Sequence, residues 1–129
     1  MENFQKPTES ELEILKVLWQ KGKATVREVN DEINLTRESG YTTTLKIMQI
    51  MFDKGLVKKD SNAKQHVFEA SVSEEKTQKS LLTRFIDSTF QGNAMSLVMQ
   101  TLGNHKTSDE DLAELKKLIQ HLESDLHKL

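Results

Sequence analysis

The residues of this chain that are best suited to specific chemistry lie in one short run between Gly40 and Val57, GYTTTLKIMQIMFDKGLV. Four of its polar residues carry the hydroxyl, ammonium and amide groups that suit this chemistry, and they are Thr42, Thr43, Lys46 and Gln49. Such groups bind phosphate oxygens and the edges of bases. No catalytic group stands beside them. The run therefore indicates a surface that binds nucleic acid rather than one that catalyses a reaction.

Apolar residues in the same run recur at helical spacing and predict the element that carries the polar ones. A helix that starts near Tyr41 turns one apolar face toward a core, and that face holds Leu45, Met48, Met51 and Phe52. The polar residues then lie mainly on the opposite side. Plainer interpretations stay open: a threonine can cap the helix, and Lys46 and Gln49 can be solvated. Tyr41 can stack on a backbone sugar or pack beneath a neighbouring hairpin.

Two helices are predicted ahead of this run by their N-terminal signals. Thr8 and Glu11 have the spacing of a capping box, and so do Thr25 and Glu28. The first helix carries an apolar stripe and ends at Gly22. The second is short and turns three apolar residues inward, which are Val26, Val29 and Ile33.

A hairpin is predicted after the run, because LVKKD and QHVFEAS are strand candidates on either side of a turn-like Ser61–Lys64. Three helices and a two-stranded wing form a winged helix-turn-helix, which we place at residues 1–72. Basic residues of this domain are expected to contact phosphate, and they are Arg27, Arg37, Lys58, Lys59 and Lys64.

The charge of the chain is unevenly distributed. The formal net charge is −2. Residues 37–66, however, carry six Lys/Arg and three Asp/Glu, and 6 − 3 gives +3. Affinity for DNA depends on the charges that meet phosphate rather than on the sum over the chain, so the local excess favours a DNA-binding domain.

Residues 73–129 are predicted to form a helical dimerisation domain, which makes the fold class mostly α. Breaks at Gly92 and Gly103 divide it into three helices, and Thr107–Glu110 has the pattern of a third capping box. The last helix repeats leucine and isoleucine at spacings of 3 and 4, a heptad seam. Packing back on the same chain is one way to bury this seam, but we expect a homodimer. Its interface is predicted at Leu82, Phe85, Ile86, Phe90, Leu112, Leu115, Ile119, Leu122 and Leu126.

Several classes of function are disfavoured by composition. With no cysteine there is no thiol nucleophile, disulfide or thiolate metal site. The four histidines lack the spacing of metal ligands, and no motif of a hydrolase, metalloprotease or phosphate-binding loop occurs. We therefore expect no metal, no cofactor and no enzymatic activity. No signal peptide or apolar span is present in the sequence, which predicts a cytoplasmic protein that does not insert into a membrane.

Over nearly its whole length the chain resembles the penicillinase repressor family, the BlaI/MecI/CopY type. SELEILKVLWQKGKATVREVNDEI is similar to that family's first two helices, and YTTTLKIMQIMFDKGLV is similar to its recognition helix. The matching positions are Tyr41, Thr42, Thr43, Lys54, Gly55, Leu56 and Val57. The resemblance implies a dimeric repressor that binds a palindromic double-stranded DNA operator. In the antibiotic-responsive branch, a membrane sensor's signal leads to proteolysis of the C-terminal domain.

The chain departs from the family's pattern at three places. The cysteines of the copper branch are absent, and Gln100-Thr101 stands where the antibiotic branch is cut at an Asn-Phe bond. Lys46 and Ile50 replace a common threonine and arginine, so the operator is expected to differ. A winged-helix regulator triggered by a small ligand and a protein–protein interaction module are the alternatives.

Overall fold

The computed structural model describes residues 6–62, 64–104 and 108–127. Within these ranges the elements are α1 (Glu9–Lys21), β1 (Ala24–Thr25), α2 (Val26–Ile33), α3 (Tyr41–Asp53), β2 (Val57–Asp60), β3 (Val67–Ala70), α4 (Glu74–Phe90), α5 (Ala94–Asn104) and α6 (Asp109–His127). The fold is mostly α with a winged-helix arrangement at its N-terminal end. The chain divides into two compact units, Met1–Thr83 and Arg84–Leu129.

Both predicted capping boxes are confirmed and fix where α1 and α2 begin. The Thr8 hydroxyl accepts from the Glu11 N–H at 3.1 Å, and the Glu11 carboxylate accepts from the Thr8 N–H at 2.9 Å. Thr25 and Glu28 repeat this exchange at 3.2 and 3.0 Å. Each box satisfies two N–H groups that the first turn of a helix leaves without a partner.

The wing belongs to a sheet of three antiparallel strands in the order β1-β3-β2, so the two-stranded prediction was incomplete. Ala24 lies opposite Phe68, and Thr25 lies opposite Val67. A strand of two residues has no room for an alternating pattern, so β1 could not be predicted from the sequence. β1 pairs with β3 and directly precedes α2, so it connects the wing to the start of that helix.

The core of the first unit fills the space between α1, α2, α3 and the sheet. Its fully buried side chains include Ile14, Leu15, Leu18, Val29, Met48 and Met51. Burial of each such side chain contributes about 1.5–3 kcal/mol. The indole N–H of Trp19 donates to the Val72 carbonyl at 2.9 Å and ties the chain after the wing to α1.

The prediction that Phe52 faces the core was wrong, because its side chain is 41% exposed. Thr44, with Met48 one turn on and Met51 beyond, occupies the inward stripe of α3 instead. This stripe leaves Phe52 at its edge, where the ring lies under the Lys59 ammonium. The apolar residues of α3 fit either of these two helix faces, so their spacing does not show which face is buried.

Three side-chain caps start the C-terminal helices. Ser73, Asn93 and Ser108 each accept a hydrogen bond from the N–H three residues on, at 3.0, 3.1 and 3.0 Å. The break at Gln91–Asn93 is confirmed by the bounds of α4 and α5. The break predicted at Gly103-Asn104 falls on the last two residues of α5, which ends at Asn104 where the described range ends. Thr107 lies outside the described residues, and Ser108 provides the cap of α6. The domain limits 1–72 and 73–129 stay predictions, since the division between the two units falls inside α4.

Candidate nucleic-acid interface

The outer face of α3 presents the polar residues that the sequence singles out. Thr42, Thr43, Lys46 and Gln49 are all exposed, whereas Thr44 and Met48 are buried on the other side of the helix. Positions 42, 46 and 49 are spaced by 4 and 3 and therefore form one stripe. Asp53 continues the stripe and is exposed as well. A carboxylate there repels phosphate, so the N-terminal half of α3 is the part suited to DNA.

The start of α3 has no side-chain cap. Gly40 is the N-cap residue, so neither Thr42 nor Thr43 fills that role. Neither hydroxyl has a hydrogen-bond partner among the described residues. The N–H groups of the first turn carry the positive end of the helix dipole. Both threonines and these N–H groups are thus available to an anion.

Asn30 on α2 holds the start of α3 in place, a role that the sequence did not indicate. The local hydrogen bonds are satisfied when its amide nitrogen faces Thr44 Oγ1 at 2.7 Å, the Ser39 carbonyl at 3.2 Å and the Gly40 carbonyl at 3.3 Å. Its amide oxygen then accepts from the Asn34 amide at 3.2 Å. A buried hydroxyl and a turn carbonyl are both satisfied by one side chain. The orientation of α3 relative to α2 follows from this network.

A groove lies between α3, the first turn of α2 and the wing. We call it the wing groove, and it is lined by Thr25, Val26, Arg27, Tyr41, Leu45, Gln49, Lys59, Lys64, Gln65, His66 and Phe68. Three of these residues are Lys or Arg, a fourth is His66, and none is acidic. The structure thus brings five of the predicted DNA-binding residues together along one channel: Arg27, Tyr41, Gln49, Lys59 and Lys64.

Strand alternation sorts the charges of the wing onto two faces. Lys59 and Phe68 are partners in register and both line the wing groove. The next pair in register, Lys58 and Glu69, points to the opposite face. There Glu69 lies 3.7 Å from the ammonium groups of both Lys58 and Lys23. Successive side chains of a strand point to opposite faces, so the carboxylate is kept out of the groove. Lys58, unlike Lys59 and Lys64, lies outside the groove.

Two cations of the wing groove rest on aromatic rings. The Arg27 guanidinium lies 5.4 Å from the centroid of Tyr41, and the Lys59 ammonium lies 4.6 Å from the centroid of Phe52. Such contacts contribute about 0.5–1 kcal/mol at exposed sites and restrict the motion of the cation. The ring of Tyr41 thus supports Arg27 at the edge of the wing groove, and half of its surface stays accessible.

Arg37, predicted as a phosphate clamp, is engaged with a carboxylate. Its Nε atom lies 3.1 and 3.2 Å from the two carboxylate oxygens of Glu13. The hydrogen bonds and charge of Glu13 raise the pKa of Arg37 further above its ordinary value. A phosphate at this position has to compete with Glu13, and the role of Arg37 stays a prediction.

Lys54 is held in the fold rather than offered to a ligand. Its ammonium lies 2.9 and 3.1 Å from the carboxylate oxygens of Glu11, whose side chain is 3% exposed. Burial alone raises the pKa of Glu11. The Thr8 N–H, the Lys54 ammonium and the Thr8 hydroxyl outweigh burial and hold the pKa below its ordinary value. The pair ties the end of α3 to the start of α1, and it takes one charge from the local excess of +3.

The residues predicted for the dimer interface are placed in part. Leu82 and Phe85 are exposed, whereas Ile86, Phe90, Leu112 and Leu115 are half-buried. The side chains of Ile119, Leu122 and Leu126 lie outside the described part of the chain. Met95, Met99 and Leu118 are further exposed apolar residues of the second unit. In that unit the rings of Phe85 and Phe90 meet edge to face, with centroids 5.7 Å apart.

Gln100 and Thr101, the predicted cleavage position, are exposed within α5. The Thr101 hydroxyl donates to the Leu97 carbonyl at 2.8 Å.

Among the described residues no three His, Cys, Asp or Glu side chains come together as metal ligands. No helix in the described ranges has the length and apolarity to cross a membrane.

Comparison with known proteins gives one family. Residues 7–121 match the family model described as penicillinase repressor. The chain is 24% identical to the penicillinase repressor of Bacillus licheniformis over 124 residues, which cover 93% of this chain and 94% of that protein. It is 21% identical to the methicillin resistance regulatory protein MecI of Mammaliicoccus sciuri over 110 residues, covering 85% and 89%.

Solved structures show the same fold for the N-terminal unit. The DNA-binding domain of the repressor BlaI is 22% identical, covers 57% of this chain and 90% of its own, and gives a TM-score of 0.50. The multiple antibiotic-resistance repressor MarR of Listeria monocytogenes is 19% identical, covers 93% and 74%, and gives 0.51. Both are similar in fold to this winged helix.

Proposed function

Because the chain belongs to the penicillinase repressor family, we propose that it is a DNA-binding transcriptional repressor. The helix α3 enters the major groove of a double-stranded operator, and the wing groove receives the adjacent phosphate backbone. The observation that carries this proposal is the division of charge. The exposed N-terminal half of α3 and the lining of the wing groove hold hydroxyls, amides and cations, while the neighbouring carboxylate of Glu69 is turned away.

Base recognition is assigned to the N-terminal half of α3. Lys46 can donate to guanine and Gln49 can pair with adenine. Thr42 and Thr43 lie at the uncapped start of the helix, where hydroxyl and N–H groups suit a phosphate oxygen. Ile50, 41% exposed and near the same face, offers an apolar contact at the position where the family resemblance implies a common arginine. These residues are expected to set the operator preference of this protein.

Phosphate contacts are assigned mainly to the wing groove. Arg27 and Lys59, each supported by a ring, lie on α2 and β2, and Lys64 lies in the wing turn between the strands. Contacts from three parts of the fold to one backbone orient the domain but do not read sequence. Lys58 and Arg37, each facing a carboxylate, are secondary candidates.

The repressor acts as a homodimer on a palindromic operator. Exposed Phe85, Met95, Met99 and Leu118 in the second unit give it apolar surface that a second copy of the chain would cover. A twofold pair of winged helices presents two α3 helices to half-sites about one helical turn, or a multiple of it, apart. Sedimentation velocity checks this part of the proposal separately, because a monomer at micromolar concentration would exclude it.

Release from DNA is proposed to follow cleavage within α5 at Gln100–Thr101, driven by a membrane sensor pathway. Support comes from the family's antibiotic-responsive branch and from the exposure of both residues. A helix has to open locally before a protease can cut it. Mass spectrometry after co-expression with a family sensor protease tests this step. An uncut chain that still releases DNA on addition of a small ligand would instead support the ligand-triggered alternative.

The repressor proposal itself is tested by gel-shift titration with the region upstream of its own gene and with a random duplex of equal length. We expect tighter binding to the upstream duplex by at least about 10³-fold at physiological salt. Equal affinity for both duplexes would exclude a sequence-specific repressor. Failure to bind either duplex, even at low salt, would favour the protein–protein interaction module.

A further inference from the structure

His66 is a feature of the wing groove that the repressor proposal leaves without a role. It is exposed, directly precedes β3, and lines the groove next to Gln65 and Lys64. Alternation along the strand places it on the same face as Phe68, which also lines the groove. No cluster of three or more His, Cys, Asp or Glu side chains that could hold a metal includes it among the described residues.

Several elements contribute charged groups to the groove around this imidazole. The titratable or charged residues that line the groove with His66 are Arg27 on α2, Tyr41 on α3, Lys59 on β2 and Lys64 in the wing turn. The nearby wing carboxylates lie elsewhere, since Glu69 faces Lys58 and Lys23 and Asp60 accepts from the Asn62 N–H at 3.0 Å. Among the described residues, the lining of the groove thus offers an imidazolium no carboxylate as a counter-charge. A DNA phosphate in the groove would supply one.

We infer that His66 is a phosphate-contacting residue and that binding of DNA takes up a proton at its imidazole. This inference rests on the proposed function, because it needs the DNA backbone to pass through the wing groove. Histidine is the side chain that ordinarily gains its charge between about pH 5 and 8. Protonation adds one more cation to the groove, and an imidazolium N–H donates to a phosphate oxygen in a charge-assisted hydrogen bond.

The consequence is an affinity for DNA that rises as the pH falls. If DNA binds the protonated form about tenfold better than the neutral form, its affinity is about tenfold higher at the acidic limit. For an exposed contact we expect binding to be about threefold to tenfold tighter per protomer at pH 6 than at pH 8. Linkage requires the same quantity to appear as proton uptake on binding.

The test compares the wild-type chain with His66→Gln and His66→Lys by fluorescence anisotropy at pH 6.0, 7.0 and 8.0 and one ionic strength. Phosphate contacts carry no sequence information, so a random duplex at low salt is used beside the upstream duplex. We expect the wild type to bind more tightly at low pH, His66→Gln to lose that gain, and His66→Lys to bind tightly at every pH. His121→Gln on α6 is the matched control and should keep the wild-type profile.

A second measurement makes the outcome decisive. Isothermal titration of the random duplex in two buffers of different ionisation enthalpy gives the number of protons taken up, which we expect to be measurable for the wild type and near zero for His66→Lys. Identical pH profiles for the wild type and His66→Gln, with folding intact by Trp19 fluorescence, would overturn the inference while leaving DNA binding in place. Absence of salt-dependent binding to either duplex would overturn the repressor proposal and this inference together.

Discussion

Replacement of Lys54 by methionine tests how α3 is fixed to the rest of the winged helix. The substitution keeps the length of the side chain but removes the ammonium, which lies 2.9 and 3.1 Å from the carboxylate oxygens of Glu11. Glu11 is then left almost fully buried, with only the Thr8 hydrogen bonds. Loss of one partner of a buried pair costs about 3–5 kcal/mol. Because the Lys54 side chain is 36% exposed and Thr8 still donates, we expect a loss of about 2 kcal/mol.

The dependence of this loss on pH follows from the lowered pKa of Glu11. A carboxyl whose pKa is lower in the folded state contributes its full stability above the unfolded value, about 4.3. That contribution disappears as the pH falls through the folded-state pKa. The difference between wild type and Lys54→Met is therefore complete at pH 7 and shrinks as the pH falls below the unfolded value toward the lower folded-state pKa of Glu11.

Urea unfolding followed by Trp19 fluorescence measures this difference, since Trp19 is the only tryptophan and lies in the first unit. Lys79→Met is the matched control, because Lys79 pairs with Glu75 at 3.3 Å on the surface of α4 with both side chains at least 75% exposed. We expect that control to change stability by less than about 0.5 kcal/mol. A loss for Lys54→Met no larger than that of the control, or one that persists unchanged at pH 3.5, would refute this account of the Glu11–Lys54 pair.

Three further predictions concern the interface and the second unit. Lys46→Ala should weaken binding to the upstream duplex by about 1–3 kcal/mol and binding to random duplex by much less, as measured by competition gel shift; equal losses would reduce Lys46 to a phosphate contact. Asn30→Asp, which sets a carboxylate oxygen against the Ser39 and Gly40 carbonyls, should lower the free energy of unfolding by about 1–3 kcal/mol, whereas Asp31→Asn next to it on α2 should not; denaturation showing equal effects would count against the Asn30 network. Phe85→Asp should shift the sedimentation equilibrium toward monomer, and an unchanged dimer would place the interface elsewhere.

Local signals in the sequence were sufficient for most of the fold. The capping boxes at Thr8 and Thr25 depend on contacts between residues three apart, and the wing depends on short alternating segments. Because these features depend on residues that are close in sequence, the starts of α1 and α2 and both wing strands could be predicted. The polar stripe of α3 was predictable for the same reason.

Features that depend on distant residues could not be read from the sequence. Glu11 and Lys54 are 43 positions apart, and β1 pairs with residues more than 40 positions away. The outward turn of Phe52 depends on which of two similar apolar registers packs better, and only the assembled core decides that. The wing groove likewise needs α2, α3 and the wing together before Arg27, Lys59 and His66 share one surface.

The position of α3 on DNA is the central claim, and affinity cleavage tests it most directly. Because the chain has no cysteine, a single Asp53→Cys substitution can carry an iron chelate at the end of α3. Lys46 and Gln49 stay unchanged in this variant. We expect hydroxyl-radical cuts on the upstream duplex in two clusters related by twofold symmetry, about one helical turn or a multiple of it apart. The same chelate at Lys79→Cys on α4 should give no localised cuts. Diffuse cleavage from position 53, or stronger localised cleavage from position 79, would contradict the account.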